Sequence, residues 1–144
     1  MLKIGIASDH GGYDLKEALK DYLADKGYQF EDYGTYSTES VDYPDYAHLV
    51  ARAIQQGKLS RGILICGSGI GISMAANRFI GIRAALCSEP LSAELSRRHN
   101  DANVLCLGGR LIGREMAYKI ADTWLSTEFE GGRHQGRIDK LDII

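Results

Sequence analysis

Cysteine is scarce in this chain: three among 144 residues, an odd number. Spaced roughly twenty apart, Cys66, Cys87 and Cys106 fit neither a disulfide framework nor a zinc pattern, and they point to a reducing compartment. Neither sign of charge dominates, with 17 basic and 19 acidic residues and a net charge of −2. Nothing therefore argues for nucleic acid or an acidic membrane as a partner. No apolar run approaches membrane length, and Met1 leads straight into a strand-like run without a basic-then-apolar leader. A cytoplasmic protein is the expectation. Repeats, low-complexity tracts and linkers are also lacking, so one domain spanning residues 1–144 is expected, large enough for a real core.

The informative stretch is Gly62-Ile63-Leu64-Ile65-Cys66-Gly67-Ser68-Gly69-Ile70-Gly71-Ile72-Ser73. An apolar run without polar interruption suits a central strand covered on both faces. The glycines at alternate positions predict a tight turn, and Ile72, Ala75, Ala76 and Phe79 carry the apolar period of a helix. With no Cβ in the way, successive N–H groups converge at the positive end of that helix and hold an anion. Cys66 stands where the strand ends and these donors begin. A thiolate in that position is a base or nucleophile with its charge stabiliser attached; the alternative is a small apolar residue closing a strand. Cys87 and Cys106, also at strand ends, read the second way.

Other readings of the glycine turn fail on single residues. No lysine lies between Arg61 and Asn77, as a nucleotide-binding P-loop requires. The third glycine falls one residue early, at Gly71, for the dinucleotide fingerprint, and Ile72 stands where a cysteine phosphatase needs its arginine. Cys66 has no second cysteine three residues away, which disfavours dithiol chemistry.

Along the chain, periodicity predicts strands over 2–8, 28–33, 62–66, 82–86 and 103–107. Helices are predicted after Gly12, over 45–56, up to Arg78, over 88–99 and 113–125, with a short helix after Gly132. In the 45–56 helix Tyr46, Leu49, Val50 and Ala53 are expected to face inward. Alternating strands and helices make a doubly wound parallel sheet with helices on both faces and a helical tail. Its ligand crevice lies at the carboxyl ends of the strands, where Asp9-His10, Cys66 to Gly71 and Gly108-Gly109-Arg110 emerge. His99-Asn100 falls at the opposite end, so a partner subunit is needed to deliver it to that crevice.

Each polar candidate has two readings. Asp9 caps a helix or binds ligand beside His10. Arg133 and Arg137, four apart and on one helical face, are a phosphate clamp or a solvated tail. His99 is a helix-end cation or an acid–base group. The Ser68 hydroxyl tolerates the turn or relays a proton beside Cys66, while Asp42 and Tyr43 read as loop structure. A single base, amide donors, a histidine and a separate phosphate clamp suit proton abstraction next to a carbonyl, whose simplest form is aldose–ketose isomerisation. Each amide donor to the enediolate is worth about 3 kcal/mol.

These segments together, Ser8-Asp9-His10-Gly11-Gly12, Asp42-Tyr43-Pro44, Cys66-Gly67-Ser68-Gly69-Ile70-Gly71, Ala75-Ala76-Asn77, Cys87-Ser88-Glu89-Pro90, Ser96-Arg97-Arg98-His99-Asn100-Asp101 and Glu130-Gly131-Gly132-Arg133-His134, resemble the type B ribose-5-phosphate isomerases over nearly the whole chain. The resemblance implies a Rossmann-like three-layer homodimer, or a tetramer built from it, with active sites at the subunit interface. It implies interconversion of ribose 5-phosphate and ribulose 5-phosphate through a cis-enediolate, in the pentose phosphate pathway, without metal or cofactor. Cys66 is then the base, with Ser68 beside it, and His99 opens the sugar ring. Asp9, His10, Gly67, Gly69, Ile70, Gly71, Asn100 and Arg110 contact the sugar, and Arg133 and Arg137 hold the phosphate. Many members carry threonine where Ser68 stands, and another branch uses a glutamate base at the position of Ile72, which leaves Cys66 as the base here. Sister isomerases of allose 6-phosphate or galactose 6-phosphate, and a non-catalytic sugar-phosphate sensor, are the alternatives.

Overall fold

The computed structural model describes residues 2–143; Met1 and Ile144, the outermost residues of the expected 1–144 domain, lie outside the described residues. Strands β1 (Ile4–Ser8), β2 (Phe30–Asp32), β3 (Arg61–Cys66), β4 (Ala84–Leu86) and β5 (Val104–Gly108) form one parallel sheet in the order β2-β1-β3-β5-β4. Helices α1 (Tyr13–Asp25), α2 (Tyr43–Gln55), α3 (Ile70–Ala76), α4 (Pro90–Asn100) and α5 (Arg114–Ser126) alternate with them, and α6 (Arg133–Ile138) forms the tail. This is the expected α/β architecture, with most element ends displaced by one or two residues.

Burial explains which strands are central. β1 and β5 are buried throughout, and β3 in all but its first residue. Side chains alternate between the two faces. On one face Ile4, Ile6, Ile63, Ile65, Leu105 and Leu107 meet α1 and α5 through Leu15, Leu19, Ile120 and Trp124. On the other, Ala7, Leu64, Cys66, Val104 and Cys106 meet α2 and α3 through Ala47, Val50, Ala51, Ile72 and Ala76. The edge strands have three residues each, which leaves little open edge to pair with another chain. At β4 the Asn77 side-chain amide also occupies the N–H and C=O of Ala84, at 2.8 and 2.9 Å.

One expectation for α2 fails. Leu49 is 46% exposed, whereas Ala47 and Ala51 are fully buried. The inward stripe runs through alanines and Val50, which let the helix come close to the sheet, and Leu49 falls on its flank. Beside β2, the fully buried ammonium of Lys16 meets both oxygens of Asp32 at 2.7 and 2.8 Å, and Asp32 in turn accepts the Gly34 N–H at 2.9 Å. This ties α1 to the start of the loop that leads to α2.

The winding reverses between β1 and β3, because β2 lies on one side of β1 and β3 on the other. That switch point opens a crevice at the carboxyl ends of both strands.

Candidate active site

Three loops are joined at the switch point by backbone hydrogen bonds. Asp9 N–H donates to the Ile65 carbonyl at 3.2 Å, Gly109 N–H to Cys66 at 2.8 Å, and Arg110 N–H to Gly67 at 2.9 Å. The approach is close: a Cβ on Gly12 would stand 2.4 Å from the Ile65 carbonyl oxygen. Gly69, at φ +77°, makes the left-handed step into α3 and points its N–H at Cys66 Sγ, 3.1 Å away.

Cys66 packs among the buried residues beneath α2 and α3, and it also lines an open pocket of about 540 Å³ with Asp9, Tyr43, Ser68, Gly71 and Arg110. Gly67, Ile70 and Leu111 complete the wall. Cys66 therefore borders a space large enough for a small polar ligand. Burial pushes the Cys87 thiol up to about 11 and raises that of Cys106 well above the ordinary value, so neither supplies a thiolate at neutral pH. Ser68 Oγ accepts the Ile70 N–H at 3.1 Å, which leaves its hydroxyl hydrogen to donate elsewhere. The N–H groups of Gly67 and Ser68 have no partner among the described residues. Asp9 fulfils its capping reading, accepting the Gly12 N–H at 3.1 Å, and still faces the pocket. His10 Nδ1 accepts the Val41 N–H at 3.1 Å, so the neutral ring carries its hydrogen on Nε2. Arg110 lays its side chain over Gly67 and Gly11.

His99, Asn100 and Arg137 lie together elsewhere, lining a second pocket of about 270 Å³ with His134, Ile138 and Leu141. Arg133 opens α6, one turn before Arg137. Because α4 precedes β5, its last residues sit at the amino edge of the sheet, a strand's length from Cys66. The residues expected from the sequence thus fall into two groups at opposite edges of the sheet. His99, Glu130 and His134 bring donor atoms within 4.8 Å of one another. The two imidazoles, however, are stacked with planes 18° apart. An ion in the plane of one ring then lies well out of the plane of the other, so this arrangement does not fit a single metal.

Tyr43 is the residue that reading by sequence misses. Expected in a loop, it is the first residue of α2, followed by proline, and its ring lies so close to Gly71 that a Cβ there would be 2.7 Å away. The Tyr-Pro pair is a helix-start signal, and recognising it turns Tyr43 toward the glycine loop.

A doubly wound sheet whose switch point presents a thiol and amide donors has the architecture of an α/β enzyme acting on a small polar ligand. The profile described as Ribose/Galactose Isomerase matches residues 4–141, and the chain belongs to that family. It is 51% identical over 144 residues to ribose-5-phosphate isomerase B of Escherichia coli, covering 100% of this chain and 97% of that one. It is 46% identical to D-erythrulose-4-phosphate isomerase of Pectobacterium atrosepticum, covering 98% and 93%. A crystal structure of a ribose 5-phosphate isomerase from Thermotoga maritima superposes with a TM-score of 0.97 at 58% identity, covering 99% of each chain. The chain is an aldose–ketose isomerase. No described helix is long and apolar enough to cross a membrane.

Proposed function

We propose that the protein interconverts ribose 5-phosphate and ribulose 5-phosphate, with Cys66 as the base. The observation that carries this is Cys66, which lines an open pocket while the Gly69 amide donates to its sulfur at 3.1 Å. The thiolate takes the proton from C2 of the open-chain aldose, and the electron pair flows through the new C1–C2 double bond to O1. The thiol then returns the proton to C1 as the O2 hydroxyl hydrogen passes to O1, by way of Ser68, and C2 becomes the ketone. The N–H groups of Gly67, Ser68 and the following loop stabilise the enediolate. Asp9, His10 and Arg110 hold the sugar hydroxyls, and Tyr43 walls the pocket.

Ring opening falls to His99, with Asn100 beside it and Arg133 and Arg137 on the phosphate. These come from the second subunit of a homodimer, a reading supported by their place at the other edge of the sheet. Each subunit's 1–144 chain acts as one catalytic domain, which the family match over residues 4–141 supports. Three free, buried cysteines support a reducing, cytoplasmic setting.

The family description spans pentose and hexose isomerases, and one relative acts on a four-carbon sugar phosphate. Substrate length is therefore the point to test. Rates on four-, five- and six-carbon aldose phosphates, with chelator present, are expected to be highest for ribose 5-phosphate. A faster six-carbon substrate overturns the assignment, and no turnover of any of them favours a sensor.

A further inference from the structure

We infer that His134, held by Glu130, is a positioning residue for the ring-opening imidazole of His99. The inference rests on the reading of His99 given above. Nothing in the chemistry proposed so far employs Glu130 or His134, yet the geometry around them is specific. The His134 and His99 rings are stacked, with centroids 4.6 Å apart and planes inclined by 18°. His134 is 7% exposed, while His99 is only partly buried, at the end of α4. A buried flat ring against a more exposed one restricts how the exposed ring can turn.

Glu130 fixes the buried ring to the helix that bears the exposed one. Its Oε1 stands 3.3 Å from His134 Nε2, and its Oε2 stands 3.7 Å from the Arg98 guanidinium, next in sequence to His99. Its own N–H donates to the Arg98 carbonyl at 3.1 Å. One residue thus couples the last turn of α4 to α6, and with it sets His99 relative to Arg137 in the second pocket. Holding an acid–base group in its productive orientation removes the entropy of finding it, and small misplacements are costly in rate. His134 supplies the wall and Glu130 the clamp.

The chemistry of the substrate allows a test that separates this role from a structural one. Ribulose 5-phosphate cannot close to a furanose, because its C5 oxygen is esterified. Solvent hydrogen exchange at its C1 in deuterated water needs the base but no ring opening, whereas net conversion of ribose 5-phosphate needs both. His134→Ala is expected to lower net conversion by about 10- to 100-fold while exchange stays within a few fold of wild type. His134→Phe, which keeps a flat ring, is expected to recover most of the conversion. Unchanged conversion in His134→Ala overturns the inference, as does a fall in exchange equal to the fall in conversion, or a failure of His134→Phe to recover. His99→Asn distinguishes the two levels. If it retains full conversion, the ring-opening assignment fails; if it loses conversion but keeps exchange while His134→Ala behaves as wild type, only the role of His134 fails.

Discussion

Mixing two inactive variants tests whether one active site is assembled from two subunits. Cys66 is in register with Gly108 at the carboxyl edge of the sheet, whereas His99 belongs to the helix that feeds β5 at Val104. The strand between those edges is about 13 Å long. The ring oxygen of a furanose is bonded to C1, next to the carbon that loses its proton. Base and ring-opening group must each come within about 3 Å of nearly adjacent atoms, so one chain cannot present both. Cys66→Ser and His99→Asn are each expected to lower turnover by roughly 10² to 10⁴-fold, the usual contribution of general acid–base groups. Serine is preferred to alanine because it keeps an acceptor for the Gly69 N–H, whose loss would cost about 1–3 kcal/mol. In a two-fold dimer each site takes Cys66 from one chain and His99 from the other. After subunit exchange of equal amounts, half of the dimers carry one of each chain. Each of these has one intact site and one doubly altered site, so activity should recover to about a quarter of wild type. Ketose formation at fixed total protein reads the recovery, and native mass spectrometry of differently tagged chains reads the heterodimer. Heterodimers that form without activity above the two parents would refute the shared site.

Three further outcomes follow from the geometry. Burial alone would raise the Asp32 carboxyl, but hydrogen bonds from Lys16, Lys20 and the Gly34 N–H outweigh it and hold the group below its ordinary value of 3.8. Its contribution to stability is therefore present above that value and lost as pH falls through the lower folded one. Asp32→Asn, which leaves the buried Lys16 ammonium with Glu17 as its one remaining carboxylate partner among the described residues, should cost about 1–3 kcal/mol in urea unfolding at neutral pH, and an unchanged midpoint would contradict the pairing. Gly71→Ala puts a Cβ 2.7 Å from the Tyr43 ring; displacing that ring should raise KM roughly tenfold, about 1.4 kcal/mol, with little change in melting temperature, and an unchanged KM removes Tyr43 from the binding wall. Arg137→Ala should weaken phosphorylated sugars by about 1.5–3 kcal/mol and leave unphosphorylated ones nearly unaffected, as measured by inhibition constants; equal losses for both would remove the clamp.

The sheet was legible because strands covered on both faces must be apolar throughout. Ile63, Leu64 and Ile65 alternate between two separate cores, and no polar residue interrupts them. Element ends were less legible, because propensity does not say where tertiary contacts take over. Pro44 lacks an N–H, and the first turn of a helix does not need one, so α2 starts at Tyr43 and brings a loop-like tyrosine to the pocket. The reading of α2 by large side chains likewise placed Leu49 inside. Closeness of packing favours alanine instead, and alanine carries little weight in any hydrophobic pattern.

The two halves of the site differ in legibility for a related reason. The Cys66 half is contiguous in the chain, and strand direction alone brings the loops after β1, β3 and β5 to the same edge. The place of His99 follows equally directly, since a helix leading into a parallel strand must end at the opposite edge. Its neighbour does not follow. Glu130 and His134 are four apart, a spacing that on a continuous helix would pair them, but Gly131 and Gly132 intervene and α6 begins only at Arg133. Their contact comes from a loop pinned to the Arg98 carbonyl and from a six-residue helix docked on α4, neither of which has a periodic signal of its own. The histidine stack is a product of that docking, so the support proposed for the His99 ring emerges only when the tail is folded against it.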